Sequence, residues 1–205
     1  MILSRIALLI FASTCLAQTT GSATISNSAD DIAALTVQAD QGSTDAQLKL
    51  GDAYLRGRGV TQNNAEAVRL FHTAAEKGNA EAEYVLGSLY AAGIGVVRDD
   101  AEATKWFLKA AEKGSAKAQY NLGVRYAYGR GVLKDDKQAA AWFRKSADQG
   151  FAQGQLGLGA GYANGLGLPQ DQGEAFKWYA KAAGRGWRRL RLRSASCSTR
   201  ASVPT

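Results

Sequence analysis

Histidine, cysteine, methionine and proline are scarce in this chain of 205 residues, which contains 1, 2, 1 and 2 of them, respectively. So few histidines and cysteines exclude a zinc site built from these ligands. Glycine is abundant, with 23 residues, but it does not recur at every third position, and this excludes a collagen-like chain. No long segment alternates apolar and polar residues, so we predict no β-sheet.

The N-terminal apolar run is short. It covers Ile6–Leu16, and its 11 residues are too few to span a bilayer about 30 Å thick as a helix. Arg5 precedes the run, and small residues stand one and three positions before Gln18. This pattern predicts a signal peptide over residues 1–17, cleaved after the last of them. The alternatives are a retained N-terminal anchor and a lipoprotein modified at Cys15.

Cleavage predicts a periplasmic or secreted protein without an integral membrane segment. Only Cys197 would then remain, so we expect no intrachain disulfide despite an oxidising destination. Residues 18–30 are small, polar and uncharged until the last of them, and we expect a disordered leader there.

The rest of the chain repeats with a period of 36 residues. Three features mark the first half of each unit: a Leu-Gly pair starting at Leu50, Leu86, Leu122 and Leu158; a tyrosine at Tyr54, Tyr90, Tyr126 and Tyr162; and a Gly-x-Gly loop starting at Gly57, Gly93, Gly129 and Gly165. Three more mark the second half: Ala67, Ala103, Ala139 and Ala175; the aromatics Phe71, Phe107, Phe143 and Tyr179; and the closing glycines Gly78, Gly114, Gly150 and Gly186. Self-similarity at such a period indicates a repeat architecture.

Two helices are predicted in each unit, a helix A before the glycine loop and a helix B after it. In the second unit, helix A covers about 80–92 and ends at Gly93, because glycine accepts the left-handed conformation of a helix end. Helix B starts with a cap residue that has Glu or Gln three positions later, a pattern close to a capping box. These caps are Asn63, Asp99, Asp135 and Asp171.

A glycine also recurs in the middle of each helix A, at Gly51, Gly87, Gly123 and Gly159. Glycine costs about 1 kcal/mol against alanine in a helix interior. Its recurrence therefore predicts a close approach of helix B to helix A. We divide the chain into a half-repeat helix over 31–44, repeats over 45–78, 79–114, 115–150 and 151–186, and a basic tail over 187–205.

The third unit resembles the Sel1-like repeat family, a relative of the tetratricopeptide repeats. The resemblance is carried by Ala118-Gln119-Tyr120, Leu122-Gly123, Tyr126, Gly129-Arg130-Gly131-Val132, Asp135, Ala139 and Trp142-Phe143. It implies an all-α fold, an α/α solenoid in which helix-turn-helix repeats form a right-handed superhelix. It also implies that the A helices line a concave face and that the protein holds partners together.

Two segments depart from the pattern. The fourth helix A contains Gly154, Gly157, Gly159 and Gly161, so we predict it to be the least stable helix. The tail after Gly186 matches no repeat, and we favour out-of-frame or truncated sequence over a native polybasic extension. The formal charge of +7 belongs to Arg5 and to the six arginines of residues 184–205, because the rest of the chain is balanced, and we therefore expect no nucleic-acid partner.

Catalytic motifs are not found. His72 occupies a position that varies among the units, and the pairs Asp99-Asp100 and Asp135-Asp136 are interpreted as helix starts. The glycine loops lack the strand before them and the Lys-Ser/Thr after them that a phosphate loop needs. We therefore predict a protein that is not an enzyme and that uses no cofactor and no metal ion.

Positions of helix A that vary among the units are the candidate partner-binding residues, because they lie 3, 4 and 7 apart and share one helix face. They are Lys49, Asp52, Arg56, Val85, Leu89, Asn121, Arg125, Tyr128 and Asn164. Tyr128, Arg125 and Arg56 are the predicted anchors, since Tyr and Arg are favoured at hot spots.

The functional hypothesis is an exported scaffold of the bacterial envelope that binds a protein or peptide. The alternatives are a cell-wall or glycan-active enzyme or its accessory factor, and an anionic-surface binder acting through the tail.

Overall fold

A computed structural model describes residues 29–184 of the chain. The predicted signal peptide, nearly all of the predicted leader and the predicted basic tail lie outside the described residues. Within the described range the structure consists of helices joined by turns, without strands. The nine helices of this part are α1 Ala29–Asp40, α2 Thr44–Arg56, α3 Asn64–Glu76, α4 Ala80–Ala92, α5 Asp100–Glu112, α6 Ala116–Tyr128, α7 Asp136–Asp148, α8 Ala152–Asn164 and α9 Gln172–Ala182.

Each helix packs against its neighbour along the chain, so the pairs α2/α3, α4/α5, α6/α7 and α8/α9 form four stacked units. This arrangement confirms the predicted α/α solenoid. Helix α1 supplies the half-repeat at the start of the stack, and it begins at Ala29, two residues before the predicted boundary. Helices α6 and α8 also contact each other directly, so the A helices of the third and fourth units lie side by side.

Helix A ends where the sequence predicts, at the first glycine of the loop. Gly57, Gly93, Gly129 and Gly165 all adopt the left-handed conformation, with φ between 66° and 71°. The second glycine of the loop is required for another reason in the last three units, because Gly95, Gly131 and Gly167 pack against the start of the preceding helix B. A Cβ atom on Gly131 would overlap the carbonyl group of Asp100, so the loop binds consecutive repeats together.

Helix B begins at the four predicted caps. Each side chain of Asn63, Asp99, Asp135 and Asp171 accepts a hydrogen bond from a backbone N–H of the first turn. The reciprocal half of a capping box is replaced by another bond: the Asp99 N–H donates to the carbonyl oxygen of Tyr90, and the other units repeat this contact. The carboxylate of Glu102 instead pairs with Lys105 at 2.9 Å.

The mid-helix glycines admit the aromatic ring of helix B in the same unit. A Cβ atom on Gly123 would lie 2.5 Å from the ring of Phe143, and the other three units show the same conflict with Phe71, Phe107 or Tyr179. The predicted close approach is confirmed, and the approaching group is mainly this ring. Leu86, Leu122 and Leu158, next to these glycines, are completely buried and form the centre of the stack.

Helix α8 forms despite its four glycines, and packing accounts for three of them. Gly159 admits Tyr179, Gly157 admits Phe143, and Gly154 admits Ser146, whose hydroxyl donates to the Ala116 carbonyl at 2.7 Å. The N-cap of α8 is Phe151, which supplies no side-chain hydrogen bond, whereas Ser or Asn caps α2, α4 and α6. The predicted low stability of this helix remains a prediction.

Candidate functional site

The candidate residues of helix A fall into two groups in the structure. Seven of them lie at the surface or are half-buried, and two are buried in the stack. The first group is Lys49, Asp52, Arg56, Val85, Asn121, Tyr128 and Asn164, and the second is Leu89 and Arg125. Tyr128 is 71% exposed, so the predicted anchor at this position is accessible.

Leu89 was expected on the partner-binding face, and this expectation is wrong. The side chain is 3% exposed and belongs to a buried cluster with Val68 of the preceding helix B and with Phe71. The equivalent positions in the other units are Ala53, Arg125 and Gly161, and all four residues are buried. This position therefore joins consecutive repeats, and its variation among units reflects packing.

Arg125 occupies the same position in the third unit and is 5% exposed, so it is also not an accessible anchor. Its guanidinium group spans the boundary between repeats. The Nη1 atom donates to the carbonyl oxygen of Asp100 at 3.0 Å, to the Asp100 carboxylate at 3.1 Å, to Thr104 Oγ1 at 3.3 Å and to the carbonyl oxygen of Arg130 at 3.2 Å. Arg125 thereby ties helix α5 and the loop after α6 together.

Burial lowers the pKa of the Arg125 guanidinium, and the hydrogen bond to Asp100 opposes this effect. On the other side of the pair, the hydrogen bond from Arg98 lowers the pKa of the Asp100 carboxyl, and the bond from Arg125 lowers it further. Asp100 thus accepts from two guanidinium groups on different secondary-structure elements, which favours its charged form.

The remaining candidates carry local contacts. Arg56 Nε donates to Asp52 Oδ1 at 2.6 Å, and Arg58 adds a second contact with the same carboxylate at 3.4 Å. Both arginines are more than half exposed, so this cluster contributes little to stability. The side-chain amides of Asn121 and Asn164 each donate to the carbonyl group four residues earlier in their own helix.

A cavity of about 690 Å³ opens between the A helices of the third and fourth repeats, over helix α7. Its walls are largely apolar and aromatic: Tyr120, Val124 and Tyr128 on one side, Leu156 and Leu166 on the other, and Phe143 at its base. Lys134 and Asp136, which pair at 3.5 Å, supply charged groups to its lining. Its size and composition fall in the range of ligand pockets.

Small residues create this cavity. Gly161 stands where the two preceding junctions have the larger residues Leu89 and Arg125, and Ala140 also lines the cavity where those junctions have Val68 and Thr104. A Cβ atom on Gly161 would meet nothing closer than 3.5 Å, so packing does not require glycine at this position. Gly161 is thus the one glycine of α8 whose small size leaves space open to solvent.

A second cavity of about 300 Å³ lies at the preceding junction, between α4 and α6. Val124 lines both cavities, so they are neighbours along one groove. The smaller cavity is more polar, and its lining includes Ser88, Asn121 and Arg130. The guanidinium of Arg130 lies 5.4 Å from the centre of the Tyr128 ring, at the boundary of the two cavities.

Charge changes along the A helices. Helix α4 contains the acids Glu81 and Glu83 and no base, α6 contains Lys117 and Arg125 and no acid, and α8 contains no charged residue. Glu83 and Arg125 are buried and paired, and Glu81 pairs with Lys117 at 3.2 Å, so these charges compensate one another within the stack.

Several carboxylates of helix B pair with cations of the same helix, as Glu66 does with Arg69 at 2.6 Å. Among residues 29–184, no group of three or more His, Cys, Asp or Glu side chains is placed to hold a metal ion. The ring of His72 lies 3.4 Å from Glu76 and packs edge-on against Trp106.

None of the helices within residues 29–184 is long and apolar enough to cross a membrane.

Sequence reasoning missed both cavities and the role of position 161. The signal was present, because aligning the four units shows Ala53, Leu89, Arg125 and Gly161 in one column. This variation could not be interpreted without the structure, since helical periodicity does not distinguish a variable surface position from a variable position buried between repeats.

Comparison with known proteins places the fold in context. A family model described as Sel1 repeat matches residues 44–79, 80–115, 116–151 and 152–187. A search of curated proteins found no match. Among solved structures, a protective antigen of uropathogenic Escherichia coli strains with an SLR fold is 43% identical, with a TM-score of 0.74 over 76% of this chain and 33% of that one. A Sel1 repeat protein from Oxalobacter formigenes is 35% identical, with a TM-score of 0.73 over 76% of this chain and 64% of that one.

A third structure, an immunity protein from Pseudomonas aeruginosa, is 22% identical with a TM-score of 0.52 over 77% of this chain and 58% of that one, and it supports the fold alone. The chain spans only about one third of the Escherichia coli antigen and less than two thirds of the Oxalobacter protein.

Proposed function

Because the chain belongs to the Sel1 repeat family, whose members are typically non-catalytic scaffolds for protein interaction, we propose that it is an exported scaffold of the bacterial envelope. It binds a protein or peptide partner along the groove lined by its A helices. The observation that carries this proposal is the groove itself, in which two adjacent cavities lie beside the exposed Tyr128. Solenoids commonly use such extended concave surfaces for binding.

Export rests on the N-terminal sequence, in which Arg5 precedes a short apolar run and small residues precede Gln18. The Escherichia coli relative supports it indirectly, because that protein is a protective antigen. The test is N-terminal sequencing of the mature protein after cell fractionation. A new N-terminus at Gln18 in the periplasm or the medium supports the proposal, whereas an intact chain in the cytoplasm contradicts it.

The scaffold role is favoured over a glycan-active enzyme because several carboxylates near the A-helix groove already have structural partners. Asp99, Asp135 and Asp171 cap helices, and Asp100 accepts from two arginines. A glycosidase needs a pair of carboxyl groups facing its substrate, whereas among the described residues the larger cavity is lined by the single acid Asp136 and the smaller cavity by none.

Site-specific photo-crosslinking tests where the partner binds. A photoreactive phenylalanine analogue replaces Tyr128 in the groove, and a matched variant carries it at Lys105, a comparably exposed position on helix α5 that lines neither cavity. We expect an adduct of defined mass from position 128 in living cells and none from position 105. Adducts from position 105 alone would place the partner on the outer surface and contradict binding in the groove.

A further inference from the structure

The larger cavity is open because small residues, Gly161 above all, stand at this junction, and not because the fold demands it. Gly161 could carry a Cβ atom in ordinary van der Waals contact, and the two preceding junctions carry leucine and arginine at this position. Glycine is also unfavourable in the middle of a helix. The chain thus keeps an apolar space of about 690 Å³ where a larger residue would close it.

The surroundings of the cavity indicate what it receives. Tyr128, Leu156 and Leu166 are 71%, 49% and 47% exposed, so a large apolar surface surrounds the opening. A bulky aliphatic or aromatic side chain would bury this surface together with the ring of Phe143 at the base. Such an anchor in a pocket is the usual centre of a binding hot spot.

The charges lining the two cavities differ. The larger cavity is balanced, with Lys134 as its base, whereas the charged residues lining the smaller cavity are Arg125 and Arg130. Asp136 is the acid in the lining, and it pairs with Lys134. Arg130 lines the smaller cavity beside it, with the polar side chains of Ser88 and Asn121. An acidic group is therefore the complement of this neighbouring cavity.

We propose that the two cavities form a bipartite site for an extended, acidic peptide segment of a partner protein. A bulky apolar side chain of the peptide enters the cavity beside Gly161, and an Asp or Glu contacts Arg130 in the smaller cavity. Packed helices lie about 8–10 Å apart, and an extended chain advances about 3.3 Å per residue. The acid therefore stands about three residues from the apolar anchor. This inference rests on the proposed function and specifies its partner.

A phage-displayed library of random peptides, selected on the full-length chain, provides the probe. We expect the enriched peptides to share a bulky apolar residue with an acid about three positions away. The affinity of one enriched synthetic peptide is then measured by fluorescence anisotropy for the wild type and for three variants. Gly161→Leu fills the cavity as Leu89 does in the second unit, and Arg130→Ala removes the cation. Gly161→Ala is the matched control, because it makes the same helix change but leaves most of the cavity open.

Gly161→Leu is expected to raise Kd at least about tenfold, which corresponds to about 1.4 kcal/mol, while Gly161→Ala leaves Kd near the wild-type value. Arg130→Ala raises Kd a few-fold and, in a repeated selection, removes the preference for the acid. Circular dichroism melting curves establish that each variant is folded. If Gly161→Leu does not fold, the Arg130→Ala selection decides the assignment.

The outcomes separate this inference from the proposed function. Peptides that bind the Gly161→Leu variant with unchanged Kd would overturn the bipartite site and leave binding elsewhere in the groove intact. Enriched peptides without an acid would overturn the role of Arg130. If the wild type enriched no peptide while crosslinking at Tyr128 still captured a partner, the peptide assignment would be wrong and the scaffold role would stand. Failure of both experiments would contradict the scaffold role.

Discussion

Arg125 on the third helix A and Asp100 at the start of the second helix B form a double contact across the boundary between repeats. The guanidinium reaches both the backbone carbonyl and the carboxylate of Asp100, at 3.0 and 3.1 Å. The equivalent junction between the first and second repeats uses Leu89, and the one between the third and fourth has Gly161. The three junctions of this solenoid therefore differ: the first is packed with apolar side chains, the second has a buried polar contact, and the third has an open cavity.

Replacing Arg125 tests how much the polar junction contributes. Arg125→Ala leaves the Asp100 carboxylate and the Arg130 carbonyl with fewer donors in a partly buried site, and we expect it to lower the free energy of unfolding by about 2–3 kcal/mol. Arg125→Leu copies the apolar junction and should recover at least half of that loss. Urea unfolding followed by circular dichroism measures both values. Equal losses in the two variants would show that packing at this position is unimportant.

The contribution of Asp100 depends on pH. Its pKa is lowered in the folded protein by the hydrogen bonds from Arg98 and Arg125, below the value of about 3.9 in an unfolded chain. The folded state therefore binds the proton less tightly, so the stabilisation is complete above the unfolded pKa and is lost as the pH falls through the folded pKa.

The measurement is Tm against pH for the wild type and Asp100→Asn. The variant should be less stable by a constant amount between pH 7 and about pH 5. The difference should then shrink below about pH 4, because the wild-type carboxylate becomes protonated. A difference that stays constant down to pH 2 would mean that the charge of Asp100 does not contribute.

Periodicity made most of the fold predictable. Helix ends are encoded locally, by Gly93 in the left-handed conformation and by Asp99 as a cap, so one chain segment suffices to locate them. Contacts within a unit were also accessible, because Gly87 and Phe107 recur together in every repeat. A residue that lowers helix stability and still recurs in every unit indicates that packing requires it.

Contacts between units were not predictable from the same pattern. Thr104 with Arg125, and Val68 with Leu89, are pairs whose members change together from one junction to the next. Each member varies when one column is examined alone, and this variation was interpreted as surface exposure. The error at Leu89 and Arg125 has this cause: complementarity across a junction involves two positions 21 residues apart, which the periodicity of a single helix cannot show.

One buried position of helix A is glutamine in three of the four units and glutamate, Glu83, in the second unit. The amides of Gln47, Gln119 and Gln155 each donate to an alanine carbonyl eight residues earlier. Glu83 occupies the same column, where a carboxylate cannot donate. Its Oε1 atom contacts Lys113 at 2.5 Å, whereas Oε2 is buried without a hydrogen-bond partner.

Glu83→Gln should therefore raise the free energy of unfolding by about 1 kcal/mol, because the new amide can donate to the Ala75 carbonyl and Lys113 keeps its bond to Gly78. The reciprocal variant Gln119→Glu should lower it by about 1–3 kcal/mol, since a buried acceptor loses its donor. Thermal and urea unfolding measure both. A loss of stability in Glu83→Gln would show that the ion pair with Lys113 outweighs the missing hydrogen bond.

Two glycines in helix interiors should respond in opposite directions to the same substitution. In Gly123→Ala, the added Cβ atom would lie 2.5 Å from the Phe143 ring, so the helices must separate, and we expect the free energy of unfolding to fall by about 1–3 kcal/mol. In Gly161→Ala, the Cβ atom meets nothing closer than 3.5 Å, so only the gain in helix propensity remains, and stability should rise by about 1 kcal/mol.

Urea unfolding of the two single variants and of the double variant measures these changes. The double variant tests whether the two changes in the free energy of unfolding are additive. Gly123 faces a ring of its own unit and Gly161 faces the cavity, but Phe143 contributes to both sites. A deviation from additivity would therefore report coupling through this ring. Destabilisation by Gly161→Ala would mean that the surroundings of the cavity are already tightly packed. That result would remove the physical basis for a binding site there, because the space beside Gly161 would not be available to a partner.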